Sequence, residues 1–144
     1  MIVETEFLIR LVLAAILGGL IGLERESHDR PAGLRTHVLV CMGAALFTMT
    51  TFDFIGPNTD PSRIAANIVV GIGFIGAGAI FRAENRVKGL TTAADLWVVA
   101  GVGLFAGLGS YGHAIIAGVL VWLVLVIGRK LKKKVVKHHT DLDS

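Results

Sequence analysis

The sequence predicts an all-α integral membrane protein, a bundle of five transmembrane helices. Of its 144 residues, 53% are hydrophobic and only 17% are charged, whereas about 25% are charged in a typical soluble domain. The mean hydropathy is +0.71. A chain with so few polar residues cannot coat a water-soluble core, and its single cysteine excludes a disulfide scaffold.

Apolar segments of the length needed to cross a bilayer, roughly 17–25 residues, define the helices in order. The first three segments are residues 7–23, 37–52 and 64–81. The last apolar stretch, residues 92–128, is too long for one crossing, and the glycine-rich cluster at 107–112 is typical of a turn. We therefore divide this stretch into two spans, residues 92–108 and 113–128.

Lysine and arginine, which are retained in cytoplasmic loops, support five spans. Twelve of the 14 lie between spans one and two, between spans three and four, or after span five. Five spans with the N-terminus outside and the C-terminus in the cytoplasm explain this distribution, whereas four would place one basic cluster on the wrong side. Residues 1–128 are then the transmembrane domain, and residues 129–144 are a short basic cytoplasmic tail. We expect the basic residues to contact anionic lipid headgroups, not nucleic acid.

Glycines predict close packing between the helices. Residues 71–76 match the G-x-G-x-x-G dinucleotide fingerprint, but they lie inside an apolar span instead of a soluble strand–turn–helix. Small residues on opposite faces of span three predict that it is the central helix of the bundle. The expected packing residues are Gly18, Gly22, Gly71, Gly73, Gly76, Gly78, Gly103 and Gly107.

Ionisable residues in the spans are the strongest candidates for a functional site, because placing a charge in the membrane is costly. Asp95 lies one turn inside span four, on the predicted cytoplasmic side, and its candidate partners are Glu24, Arg25 and Glu26. A functional role and a structural ion-pair role both stay open for this cluster. On the outer side we expect a network of Arg10, Asp53, Arg63 and Asn67 or, alternatively, side chains that each extend to the membrane surface.

The two cytoplasmic loops resemble each other. Residues 30–36 align without gaps on residues 86–92, which is consistent with a parallel repeat of two helices but also with chance identities. In both loops Gly-Leu-x-Thr precedes a span, so Thr36 and Thr92 are expected to cap helix N-termini.

The ligand of this face stays open. Two helix N-termini beside arginines favour an anion, whereas the nearby carboxylates make hydrated Mg²⁺ a second candidate ligand. No cofactor is predicted. The candidate residues are Glu24, Arg25, Glu26, Arg35, Thr36, Thr91, Thr92 and Asp95.

The same residues carry a family resemblance. Matching blocks are residues 22–26, 32–37, 63–66, 71–80 and 89–94. Through them the chain resembles the MgtC/SapB membrane-protein family over about residues 5–128. Many members carry a soluble C-terminal domain, which we expect this chain to lack. Asp95 stands where family members usually have a small or neutral polar residue.

The resemblance implies a bacterial inner-membrane protein linked to growth at low Mg²⁺ and, in pathogens, to survival inside macrophages. Members are often named Mg²⁺ transporters, but the better-studied ones resemble regulators of the ATP synthase or other membrane proteins. Two hypotheses follow: a regulator that binds a membrane partner, and an ion transporter that encloses its pathway as a homo-oligomer. An enzyme is not expected, because Ser27, Ser62 and Ser110 lie in loops with no evident paired base.

Overall fold

The computed structural model describes residues 2–54, 56, 60–83 and 86–142, with side chains described as far as residue 131. These residues form five helices and one two-stranded hairpin. In chain order they are α1 (Glu4–Glu26), α2 (Leu34–Phe54), α3 (Ser62–Gly78), β1 (Phe81–Ala83), β2 (Arg86–Lys88), α4 (Leu90–Gly107) and α5 (Tyr111–Leu142).

The predicted helical bundle is therefore present. Four helices are long and apolar enough to cross a membrane, and α3 is apolar but has only 17 residues. The chain is thus a multi-pass membrane protein, whereas its orientation and the repeat stay predictions. Helix α5 continues through Gly128 into the predicted tail.

The helices begin earlier than the apolar segments, because polar residues at the membrane surface extend them. The expected threonine caps are wrong: α2 begins at Leu34 and α4 at Leu90, so Thr36 and Thr92 lie inside the first turn. The first N–H of α2 is instead satisfied by the Glu26 carboxylate, which lies 2.6 Å from the Leu34 nitrogen. A side chain from the preceding helix has taken the role of the cap.

The central helix is α4, and the prediction that span three is central is wrong. Helix α4 contacts each of the other four helices. In α3 only Ile72 and Gly76 are buried, and Phe74 is 86% exposed. Both α3 and α4 contain glycines, so glycine content alone does not determine which of them is enclosed by the other helices. A core of small and branched side chains from α1, α2, α4 and α5 closes around α4.

The loop between α3 and α4 folds into an antiparallel hairpin that pairs Phe81 with Lys88 and Ala83 with Arg86. After it, Gly89 has φ +90°, a left-handed conformation that glycine adopts without strain. A Cβ at this position would collide with the carbonyl oxygen of Ala79. Gly89 therefore brings the chain from the hairpin directly into α4.

Cysteine labelling tests the predicted orientation. Val87 in the hairpin and Gly112 in the first turn of α5 are exposed at opposite ends of α4, and the native Cys41 is fully buried. In intact cells, a membrane-impermeant maleimide is expected to label a Gly112→Cys variant but to reach a Val87→Cys variant only after permeabilisation. Labelling of both variants from the same side would contradict the five-span topology.

Candidate functional site

The end of the bundle where α2 and α4 begin contains a buried ion-pair cluster of Arg25, His37 and Asp95. The side chains come from α1, α2 and α4, and each residue is at most 5% exposed. Arg25 Nε lies 2.6 Å from Asp95 Oδ2, and His37 Nε2 lies 3.3 Å from Asp95 Oδ1. A single carboxylate thus connects three helices, in surroundings where an unpaired charge is costly.

Two further contacts orient this buried ion-pair cluster. Arg25 Nη2 donates a hydrogen bond of 3.0 Å to the Thr92 hydroxyl, which is also buried. His37 Nδ1 lies 2.8 Å from the carbonyl oxygen of Gly33, one turn earlier in the chain. The arginine and the imidazole are therefore each held by a second group, so Asp95 meets them in a defined geometry.

A second ion pair lies beside the first. Glu24 accepts a charge-assisted hydrogen bond of 2.8 Å from Arg129 of α5, and the His28 ring is within 3.8 Å of the same carboxylate oxygen. Glu24 is 9% exposed. This contact ties the end of α1 to α5, so the two ion pairs together join four helices at one end of the bundle.

The structure brings together some of the predicted site residues and separates others. Arg25, Thr92 and Asp95 are in contact, whereas Glu24 and Glu26 each have different partners. Thr91 and Arg35 are exposed, and Thr36 is half-buried at the start of α2. Glu26 accepts a hydrogen bond from the Leu34 N–H, so the first backbone donor of α2 is not free for the anion that the loop pattern favours.

A metal centre is not formed by the predicted carboxylates in the part of the chain that the structure describes. Within those residues, no group of three or more His, Cys, Asp or Glu side chains is arranged to hold a metal ion. The reason is geometric: Glu24, Glu26 and Asp95 point to Arg129, the Leu34 N–H and Arg25, respectively.

Sequence reasoning missed His37, His28 and Arg129. In the sequence His37 stands only as the first residue of an apolar segment, although its place in the matching block at residues 32–37 is a signal. Arg129 is the first residue of the predicted basic tail and directly follows the last span, on the side of Glu24. Each residue finds its partner on a different helix, and sequence spacing does not report such contacts.

The outer residues do not form the expected network. Arg10 donates a hydrogen bond of 2.6 Å to the Gly107 carbonyl, pairs with Glu6, and stacks over the Phe52 ring at 5.2 Å. Among the described residues, Asp53, Arg63 and Asn67 are exposed, and none of them forms a salt bridge or side-chain hydrogen bond with Arg10. Arg10 is thus satisfied by the backbone carbonyl of Gly107 and by Glu6, which lies one turn earlier on α1.

Five of the eight predicted packing glycines lie in helix–helix contacts. A Cβ on Gly18 or Gly22 would meet the backbone of α2 at 2.7 Å, and one on Gly107 would meet the Ala45 carbonyl at 2.6 Å. A Cβ on Gly103 would meet the Cys41 carbonyl oxygen even more closely, and one on Gly76 would contact Ala93. In contrast, a Cβ on Gly71, Gly73 or Gly78 would meet nothing within 4 Å.

Two serines lie beside histidines, which the sequence did not reveal. Ser27 Oγ is 2.7 Å from His28 Nδ1, and Ser110 Oγ is 3.1 Å from His113 Nδ1. A nucleophile needs a base that a third group orients. His28 presents Nδ1 both to Ser27 and to Glu24, and its Nε2 faces the Arg129 guanidinium. This differs from the arrangement of a catalytic histidine, in which one ring nitrogen meets the hydroxyl and the other meets the orienting acid.

A profile of the MgtC family matches residues 11–134, most of the chain and every residue of the buried ion-pair cluster. The chain belongs to the MgtC family. It is 48% identical over 135 residues to a protein of Escherichia coli K12 named "Putative magnesium transporter YhiD". The aligned region covers 88% of this chain and 62% of that protein.

Other MgtC-family relatives give the same picture. Identity to "Protein MgtC" of Salmonella typhimurium LT2 is 43% over 129 residues, which covers 90% of this chain and 55% of the relative. Identity to "Protein MgtC" of Brucella abortus is 48% over 118 residues, which covers 82% and 49%. This chain therefore spans about half to three fifths of the length of these relatives. No solved structure matches it.

Proposed function

We propose that this MgtC-family protein is a non-enzymatic regulator in the bacterial inner membrane, linked to Mg²⁺ limitation and to ion and energy balance. It acts by binding a second membrane protein, such as the rotary ATP synthase. The name of the E. coli relative supports the connection to Mg²⁺, and the family resemblance supports such a partner.

The observation that carries the proposal is that each of the three inner carboxylates already has a partner within the chain. Asp95 is paired with Arg25 and His37, Glu24 with Arg129, and Glu26 with the start of α2. A carboxylate already neutralised by a guanidinium is a weak ligand for a divalent cation. These groups hold helices together, which fits a packed bundle better than an ion pathway.

Transport is the second candidate function, and one observation favours it. Among the described residues, the buried Glu24 Oε2 has no hydrogen-bond partner, so it is a carboxylate oxygen that could meet a cation. The name of the E. coli relative points the same way. A pathway would then be enclosed by a homo-oligomer.

Reconstitution separates the two functions. We expect the purified protein, placed in liposomes that hold a Mg²⁺-sensitive dye, to give no Mg²⁺ uptake above that of empty liposomes. Uptake that Glu24→Gln abolishes, but that the exposed-acid control Asp29→Asn retains, would overturn the regulator and establish transport. Circular dichroism of each preparation shows that the helices are formed.

A second measurement tests the partner directly. In inverted membrane vesicles, ATP-driven acidification is expected to be weaker when this protein is present, and the ATP synthase is expected to co-purify with it. Equal acidification in vesicles with and without the protein would contradict regulation of that enzyme. The Gly18, Gly22, Gly103 and Gly107 faces are unsuitable for mapping the partner, because they are filled within the chain.

A further inference from the structure

A groove of about 800 Å³ lies on the outside of the bundle between α2 and α3. Most of the side chains that line its walls are apolar and several are exposed, and its floor is the buried contact between α2, α3 and α4. The wall is formed by Leu39, Phe47 and Ile75, and the floor by Ala44, Ile72 and Ala100. Any occupant must therefore be largely apolar.

The groove exists because two consecutive helices are packed only loosely against each other. Helix α3 makes most of its contacts with α4, and fewer with α2. Gly43 on α2 and Gly71 on α3 line the opening, and a Cβ on either would meet nothing within 4 Å. The two glycines thus leave open space where ordinary side chains would fill the gap.

One end of the groove is charged. Arg35 and Thr36 line it at the start of α2, and the Arg35 side chain is exposed. Unlike Arg25 and Arg129, Arg35 forms no salt bridge with any residue that the structure describes. A basic residue at a membrane surface attracts anionic headgroups by about 1 kcal/mol.

The dimensions of the groove match one leaflet of a bilayer. Arg35, Leu39, Gly43 and Phe47 follow one another at four-residue spacing, so they share one face of α2. From Arg35 to Phe47 the helix rises about 18 Å, and half of a hydrocarbon core is about 15 Å. A headgroup bound at Arg35 would place its acyl chain along Leu39 and Gly43.

We propose that this groove binds one phospholipid with an anionic headgroup, whose phosphate meets Arg35 and Thr36 and whose acyl chain lies over Gly43. A helix of a second copy is a poorer occupant. It would bring further basic residues to the Arg35 end, where this chain carries Arg30, Arg82, Arg86 and Lys88, while its inner carboxylates are engaged within their own chain. The proposal does not depend on the regulatory function.

Native mass spectrometry of the full chain in detergent tests this site, with phosphatidylglycerol and phosphatidylcholine of identical acyl chains as probes. The native protein is expected to bind phosphatidylglycerol more tightly. Arg35→Gln is expected to lower that preference about fivefold. Gly43→Leu is expected to weaken the binding of both lipids about tenfold, the equivalent of roughly two displaced methylene groups.

Two matched variants control for general effects of charge and size. Arg30→Gln removes an exposed arginine at the same end but outside the groove, and Gly73→Leu fills open space on another face of α3; both are expected to bind lipid like the native protein. Equal binding of the two lipids, or control variants that match Arg35→Gln and Gly43→Leu, would overturn the proposal. So would a dimer that Gly43→Leu abolishes while lipid binding is unchanged.

Discussion

Replacing Gly103 by leucine is expected to prevent α4 from packing on α2 and so to abolish the folded bundle. A Cβ at this position would collide with the backbone carbonyl of Cys41 and would approach the Ala44 side chain at 2.9 Å. Because the first obstacle is backbone, it cannot move away without separating the two helices. We expect a loss of more than about 3 kcal/mol in stability, above the usual cost of an overpacked core.

Gly101→Leu is the matched control for this prediction. Gly101 lies two residues earlier on the same helix, and a Cβ there would meet nothing within 4 Å. Size-exclusion chromatography of the detergent-solubilised variants should show a single monodisperse species for Gly101→Leu and aggregated or degraded protein for Gly103→Leu. If the two leucine variants behave alike, the contact between α2 and α4 is not as close as described.

Replacing Asp95 by leucine is expected to destabilise the protein by about 3–5 kcal/mol, the usual cost of removing one partner from a buried ion pair. The variant leaves the Arg25 guanidinium, at 5% exposure, with only the Thr92 hydroxyl as a described side-chain partner. It also removes the carboxylate that faces His37. The loss is measured as a shift of the unfolding transition in mixed detergent and SDS micelles.

A double variant distinguishes an ion pair from simple packing at this site. Arg25→Leu combined with Asp95→Leu removes both charges, and such replacements of a whole buried pair are often close to neutral. We therefore expect the double variant to be more stable than Asp95→Leu alone. Asp53→Leu, which removes an exposed acid, is the control and is expected to change little. A double variant no better than the single one would show that the charges are not coupled.

Hydropathy and charge predicted much of the fold because a helix that crosses a membrane can be recognised by the length and apolar composition of its segment. The apolar segments correspond to α1 through α5, and the turn inferred at residues 107–112 separates α4 from α5. Helix ends were less predictable, since Glu4 and Glu26 extend α1 beyond its apolar part. The hairpin between α3 and α4 was not predicted, because strands of three residues are too short to show an alternation of apolar and polar side chains.

The candidate site was predicted in part. A lone Asp95 inside a span requires a partner, and Arg25 was among its three expected partners. The identity of the pairing residue and the presence of His37 required the structure, because α1, α2 and α4 each contribute one side chain. For Arg10 the observed partner, the Gly107 carbonyl, is a backbone group that no residue pattern marks.

The amino-acid sequence by itself determined that this is a membrane protein built from apolar helices, and it carried the family resemblance. These are properties of segment length, composition and local order, which do not depend on how helices meet. Only the tertiary structure decided that α4 and not α3 is central, that Glu26 caps α2, and that a groove opens beside Gly43. Glycines permit close approach on any helix face, but which faces meet depends on the packing of the whole bundle.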